Sequence, residues 1–103
     1  MSAVLVIARD PQILEHVLDA LDGAGFRAFG VSDERDALDA IVTEAFDVLV
    51  VGGGVEAKLR KAALQRVAEL KPGVIVVEHR GADADAVVDE VRGALANSRP
   101  YTG

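Results

Sequence analysis

Polar residues and glycines follow three short apolar segments of the sequence, at the positions where strands would end. Arg9 and Asp10 come after AVLVIA, three glycines at 52–54 come after DVLVV, and Glu78 and His79 close VIVVEH. The carboxyl ends of the strands in an open α/β sheet form its ligand crevice. We therefore expect these residues to share one edge of a sheet, where Arg9 and His79 could hold an anion together with loop amides and Asp10 lies in the same crevice.

The glycine segment also fits a nucleotide-binding pattern. GGGVEA matches G-x-G-x-x-A after one predicted strand, and Glu78 ends the next strand, 26 residues after Gly52. This resembles the Rossmann dinucleotide fingerprint, which implies that Gly52, Gly53 and Gly54 hold a phosphate group. It also implies that Glu78 binds a ribose. Four strands leave little surface for a dinucleotide, so the expected ligand is a mononucleotide or phosphate. The alternative interpretation is structural, because glycine lets a helix pack back closely on its sheet.

The sequence offers little for catalysis. Cysteine is absent, which excludes thiolate nucleophiles and cysteine zinc sites. The two histidines, His16 and His79, are too far apart in the sequence to indicate a metal site, and no nucleophile-elbow motif is present. A net charge of −6 also argues against nucleic acid, which requires a dense basic patch. We therefore predict a protein that is not an enzyme, with no resident cofactor, metal or nucleic acid.

Composition and length favour one domain. A chain of 103 residues can bury a single core, and with only four aromatic residues that core must be aliphatic. No window of 18 apolar residues exists, and the first apolar segment lacks a preceding basic region. We expect a cytoplasmic protein without membrane contact, with one domain at 1–96 and a flexible tail at 97–103.

The period of apolar residues predicts four strands, each followed by a helix. Apolar runs at 3–8, 26–31, 47–51 and 74–78 have the length of strands. The first helix is expected to begin after Asp10 and Pro11, and the second after Ser32 or Asp33. The third ends near residue 70 and the last spans about 83–96. The residues expected to face the core from the helices include Val17, Leu21, Ala37, Ile41, Val42, Leu59, Ala63, Val67, Leu70, Val87, Val91 and Leu95.

This alternation predicts a parallel sheet with right-handed crossovers. We predict a doubly wound α/β sandwich of three layers, flavodoxin-like or Rossmann-like, with four parallel strands in the order 2-1-3-4 and no fifth strand. The last helix is expected to pack on the face of the first helix, because half of that face would otherwise be bare.

The segments ARDP, FDVLVV and VIVVE together resemble a response-regulator receiver domain over nearly the whole chain. In that family an acidic pair after the first strand binds magnesium, and an aspartate after the third is phosphorylated. The matching positions here are Ala8, Arg9 and Gly52, while Glu78 stands where the family has Ser or Thr. The family's lysine after a fifth strand has no counterpart. The resemblance therefore implies a degenerate pseudo-receiver, a regulatory or interaction module that signals by contact and independently of phosphorylation.

Two surfaces are expected to meet partners. A fourth strand without a fifth beside it is an open sheet edge, so we predict a homodimer through this strand, at Val74 and Val76, or through the last helix. The segment 56–71 carries five basic and two acidic residues in an otherwise acidic chain. Lys58 and Lys61 could dock on an acidic protein partner or on an acidic face of a second copy. The alternative is a solvated face with intrahelical pairs such as Glu56 with Arg60.

Overall fold

The computed structural model describes residues 2–79 and 83–97. Four strands alternate with four helices, as predicted. Their bounds are β1 Ala3–Ile7, α1 Pro11–Gly23, β2 Arg27–Val31, α2 Glu34–Thr43, β3 Val48–Gly52, α3 Ala57–Leu70, β4 Ile75–His79 and α4 Ala84–Asn97. The fourth strand lies one residue later than predicted, which leaves Val74 outside it and places His79 inside it. Asn97, predicted to open the tail, ends α4, and the rest of that tail lies outside the described residues.

The four strands form one parallel sheet in the order β2-β1-β3-β4, which confirms the predicted topology. In the register of the last pair, Val51 lies beside Glu78 and Gly52 beside His79. The order reverses between β1 and β3, so the loops after these two strands meet at the carboxyl edge of the sheet. Within the described ranges, no helix is long and apolar enough to cross a membrane.

Apolar side chains fill both faces of the sheet, because β1 and β3 are central strands covered on both sides. One core layer joins the sheet to α2 and α3, through residues such as Leu49, Ile41 and Leu59. The other joins it to α1 and α4, where Leu21 and Val91 are fully buried. The last helix therefore packs on the same face as the first, as predicted.

Short-range polar contacts set where α1 and α2 begin. The Asp10 carboxylate accepts a hydrogen bond from the backbone N–H of Gln12 at 2.9 Å, and Pro11 occupies the first helical position. Of the two residues proposed to cap α2, Asp33 is the cap and accepts from the N–H of Asp36 at 2.7 Å. Gly25, with φ of 93°, takes the left-handed conformation that follows the end of α1.

Two helical side chains predicted to be buried are exposed. Val42 is 50% exposed because the buried face of α2 is formed by Ala37, Ala40 and Ile41, and Val42 lies beside that face on the solvent side of the helix. Leu70 is 52% exposed because it is the last residue of α3, almost one turn beyond the buried Val67.

Candidate functional site

A cavity of about 60 Å³ lies at the carboxyl edge of the sheet, on the face covered by α1 and α4. The structure brings most of the predicted crevice residues together around it: Arg9, Asp10, Gly52, Gly53, Gly54 and His79 all line it. Its inner wall is apolar and is built from Val6, Ala8, Ile13, Val17, Val50 and Val87. One water molecule needs roughly 10–15 Å³ of such space, so the cavity has room for about four heavy atoms. A base or ribose does not fit inside this cavity. A nucleotide would have to bind on the outer surface of the glycine loop, and that alternative stays a prediction.

His79 is the buried polar group of this cavity. The predicted strand stopped at residue 78, but His79 ends β4 and is only 5% exposed. It follows the buried Val77 by two residues and so lies on the same face of the sheet, toward α1 and α4. The Nδ1 atom of the ring lies 2.7 Å from Oε2 of Glu90 on α4. The Nε2 atom is buried and has no hydrogen-bond partner among the described residues.

Glu90 is the site residue that sequence reasoning missed. It lies three residues after Val87 and one before Val91, both predicted to face inward, and this spacing was the available signal. A carboxylate beside a buried imidazole accepts the Nδ1 hydrogen and fixes the orientation of the ring. His79 is therefore held in place by α4 as well as by its strand.

Glu78 does not join this group, because adjacent strand residues point to opposite faces. Its Oε1 atom lies 3.4 Å from Nε of Arg60, on the face covered by α3. Arg60 also donates to the carbonyl oxygen of Val55 at 3.4 Å. The intrahelical pair predicted between Glu56 and Arg60 is therefore wrong. Glu56 precedes α3 and instead pairs with Arg9, at 3.4 Å between Oε1 and Nη2.

The first glycine of the loop has little space for a side chain. A Cβ atom on Gly52 would lie 3.3 Å from the carbonyl oxygen of Ile7 and 3.5 Å from Cβ of Ala8. A Cβ on Gly54 would meet only Cβ of Arg9, at 4.0 Å. Neither glycine has a positive φ. The close approach of the segments after β1 and β3 therefore gives Gly52 a structural role, through a contact with the end of β1 and not with a helix as the packing interpretation expected.

The charged side chains at the mouth of the cavity, Arg9 and Asp10, already have partners within the chain. The Arg9 side chain is half-exposed and forms the ion pair with Glu56. One oxygen of Asp10 caps α1, where it accepts from the backbone N–H groups of Gln12 and Ile13. Among residues 2–79 and 83–97 there is therefore no dense positive patch at this mouth, and the apolar wall with one imidazole is the dominant feature of the cavity.

The predicted partner residues lie on two other surfaces. Along β4, Val76 is 37% exposed and the Glu78 side chain 50% exposed, and Val74 just before the strand is half-buried. Within residues 2–79 and 83–97, β4 pairs with β3 and with no other strand. Lys58 and Lys61 are exposed on α3.

Comparisons with solved structures identify the fold of this chain. A receiver domain from Methylobacillus flagellatus described as CheY-like matches with a TM-score of 0.75 at 15% identity, covering 96% of this chain and 99% of that one. A transiently phosphorylated switch of bacterial signal transduction matches at 0.73 and 19% identity, over 95% and 97% of the two chains. A de novo designed protein of Rossmann 2x3 fold matches at 0.64 and 18% identity, over 94% and 91%. No family model and no curated protein matches the sequence.

These similarities show a receiver-like, flavodoxin-like α/β fold. Identity this low carries no residue roles from one protein to another, and a designed protein sharing the fold illustrates that the fold alone does not determine function.

Proposed function

We propose that this domain is a receiver-like regulatory module that acts through protein contacts and does not transfer a phosphoryl group. The observation that carries the proposal is the set of residues at the carboxyl ends of β1 and β3. Ala8, Arg9 and Gly52 occupy the positions where the receiver pattern requires carboxylates. A phosphorylated carboxylate needs an acceptor oxygen and a nearby metal to offset charge, and these three side chains supply neither.

The packing supports this view beyond residue type. Gly52 faces the backbone of Ile7 and the methyl group of Ala8, so even the Cβ atom of an acceptor side chain would press on the neighbouring strand. Arg9 places a positive charge at the mouth and pairs with Glu56. A cation would meet this guanidinium where receivers hold magnesium, which opposes metal binding by like-charge repulsion.

Incubation with acetyl phosphate and Mg²⁺ is therefore expected to leave the intact mass of the protein unchanged. The physical reason is the missing acceptor at Gly52. Intact-mass spectrometry measures the result, and a receiver domain with a complete acidic pocket, treated in parallel, shows that the phosphodonor is active. Addition of one phosphoryl group to the protein, mapped to Asp10 or another residue of the carboxyl edge, would contradict the proposal.

We further propose that the open edge of β4 pairs with a second copy of the chain. A strand edge exposes backbone N–H and C=O groups that another strand can satisfy, and Val76 adds apolar surface there. A two-fold axis through Val77 would make the two strands antiparallel and join two four-stranded sheets into one of eight. This register places Val76 of each copy opposite Glu78 of its mate. Pairing through α4 is the other arrangement that would close this side of the molecule.

The exposed lysines of α3 are proposed to dock on an acidic protein. Lys58 and Lys61 project from a helix that is basic within an acidic chain. Reversing both charges with Lys58→Glu and Lys61→Glu is expected to abolish capture of such a partner in a pull-down at low salt. Reversing Arg92, an exposed cation on α4, serves as the matched control and should leave capture intact. Equal loss with both variants would contradict an assignment to α3.

A further inference from the structure

The outer surface of α2 and α3 exposes apolar side chains beside charged ones. Val42 on α2 is 50% exposed and Leu70 on α3 is 52% exposed, the highest values for large apolar side chains within residues 2–79 and 83–97. An open groove separates the two helices, and its lining consists of Arg35, Asp36, Leu38, Asp39 and Val42 from α2 with Arg66 from α3. We call this part of the molecule the α2–α3 surface.

The two helices of this surface carry opposite charge. α2 has three acidic residues and one basic residue, whereas α3 has four basic residues and one acidic residue. Across the groove, Asp39 and Arg66 are both exposed, and neither forms an ion pair within the described part of the chain. An acidic helix beside a basic helix is complementary to a second copy of the same surface, when a two-fold axis exchanges the two helices.

The helices α2 and α3 run in the same direction and end at the same level. Each follows a strand of the parallel sheet and returns from its carboxyl edge. The Nζ atom of Lys71, directly after α3, donates to the carbonyl oxygen of Glu44, directly after α2. Asp39 and Arg66 each lie five residues before these end points, so they share one level, in agreement with their common position in the groove.

We propose that the α2–α3 surface binds the same surface of a second copy, about a two-fold axis that runs along the groove and parallel to both helices. This axis places α2 of each copy on α3 of its mate and keeps every residue at its own level. Asp39 of each copy therefore meets Arg66 of its mate. A two-fold axis across the helices would instead place α2 on α2 and α3 on α3, where like charges repel.

Two further contacts follow from the shared level of the helix ends. Glu34 and Lys61 each lie ten residues before the end points and are both exposed, so they form a second pair of opposite charges between the copies. Val42 lies two residues before its end point and Leu70 one residue before its own. These two exposed apolar side chains therefore meet across the interface, where contact removes both from water.

This inference rests on the docking proposed for the lysines of α3, because it names α2 of a second copy as the acidic surface that they meet. It does not require the pairing of β4, which uses a different side of the molecule. Exposed ion pairs contribute little each, so we expect a dissociation constant on the order of 0.1–1 mM. The contact therefore forms above the concentrations at which β4 pairing is expected.

The test is a concentration series of the ¹⁵N-labelled protein from roughly 20 μM to 1 mM at low salt. The amide signals of Asp39, Val42, Arg66 and Leu70 are expected to shift with concentration. The shifts should diminish in about 0.5 M NaCl, because salt screens exposed charges. Signals from β4 report the other contact separately. Unchanged signals from α2 and α3 up to about 1 mM would overturn the proposal.

Asp39→Lys and Arg66→Glu form a charge-swap pair. Each variant alone creates two like-charge contacts across the two-fold axis and should weaken the association by about tenfold. In an equimolar mixture the new lysine meets the new glutamate, and the unchanged Arg66 meets the unchanged Asp39. The mixture should therefore associate about as tightly as the wild type. Asp89→Lys and Arg92→Glu, both exposed on α4, are the matched controls and should change nothing, alone or mixed.

The outcome of the mixing experiment separates this inference from the docking on which it rests. A mixture that associates no more tightly than either variant alone would overturn the two-fold contact. If charge reversal at Lys58 and Lys61 still abolishes capture of another acidic protein, the docking by α3 stands and only its assignment to a second copy is wrong. The spectra of all four variants show whether the fold is kept.

Discussion

Replacing Val76 with glutamate is expected to raise the dissociation constant of the proposed β4-to-β4 dimer by about 10- to 100-fold, equivalent to about 1.4–2.8 kcal/mol. In a two-fold antiparallel arrangement about Val77, position 76 of each copy lies opposite Glu78 of its mate. The change creates two like-charge cross-strand pairs and removes the apolar surface of two valines that are 37% exposed in the single chain. Sedimentation velocity over a concentration series measures the effect.

Val76→Lys is the matched control for charge and size. It removes the same apolar surface, but places an ammonium group opposite each Glu78 carboxylate. We expect this variant to associate more tightly than Val76→Glu, with a dissociation constant close to that of the wild type, because opposite charges on paired strands stabilise the pair. Equal weakening by both variants would contradict the register about Val77. If neither variant changes association, the dimer does not use this edge.

Gly52→Asp is expected to lower the melting temperature by roughly 5–15 °C and to remain unphosphorylated, because the new carboxylate still lacks an acidic pair at Ala8 and Arg9 to hold a metal. The new Cβ would lie 3.3 Å from the carbonyl oxygen of Ile7, so backbone atoms of β1 or β3 must shift. Overpacking of this kind costs about 1–3 kcal/mol, and each kcal/mol shifts the melting temperature of a domain this size by about 4–8 °C. Thermal unfolding followed by circular dichroism measures the shift, and intact mass after acetyl phosphate measures labelling.

Gly54→Asp is the control within the same loop. Its Cβ meets only Cβ of Arg9 at 4.0 Å, and the residue has no positive φ, so the melting temperature should stay within a few degrees of the wild type. Equal destabilisation by both substitutions would show that the loop tolerates no side chain, and the argument from space at Gly52 would fail. Labelling of Gly52→Asp would show that a metal and a phosphodonor reach this edge after all.

The order and bounds of the helices and strands could be predicted because short-range features of a single sequence mark them. Apolar runs of strand length, the Asp10-Pro11 start of α1 and a glycine at residue 25 indicate the elements directly. The order of the strands followed from general rules on parallel sheets and crossovers. The position of α4 on the α1 face could be predicted because the apolar face of α1 would otherwise be bare.

The candidate site was less predictable because it depends on the register of one strand. A shift of β4 by a single residue decides which of two neighbours faces the cavity, and alternation then separates Glu78 from His79. The contact between His79 and Glu90 further depends on how α4 lies beside β4, which no local pattern specifies. Ion pairs at exposed loop residues are similarly long-range, which is why Arg9 and not Arg60 is the partner of Glu56.

The measurement that tests the central claim most directly is the solution mass of the wild-type chain by light scattering, with and without acetyl phosphate and Mg²⁺. A contact module that is independent of phosphorylation should have twice the 10.8 kDa mass of one chain at tens of micromolar in both conditions. A monomer in both conditions would contradict the proposed dimer. A monomer that becomes a dimer only after treatment with acetyl phosphate would contradict the account as a whole.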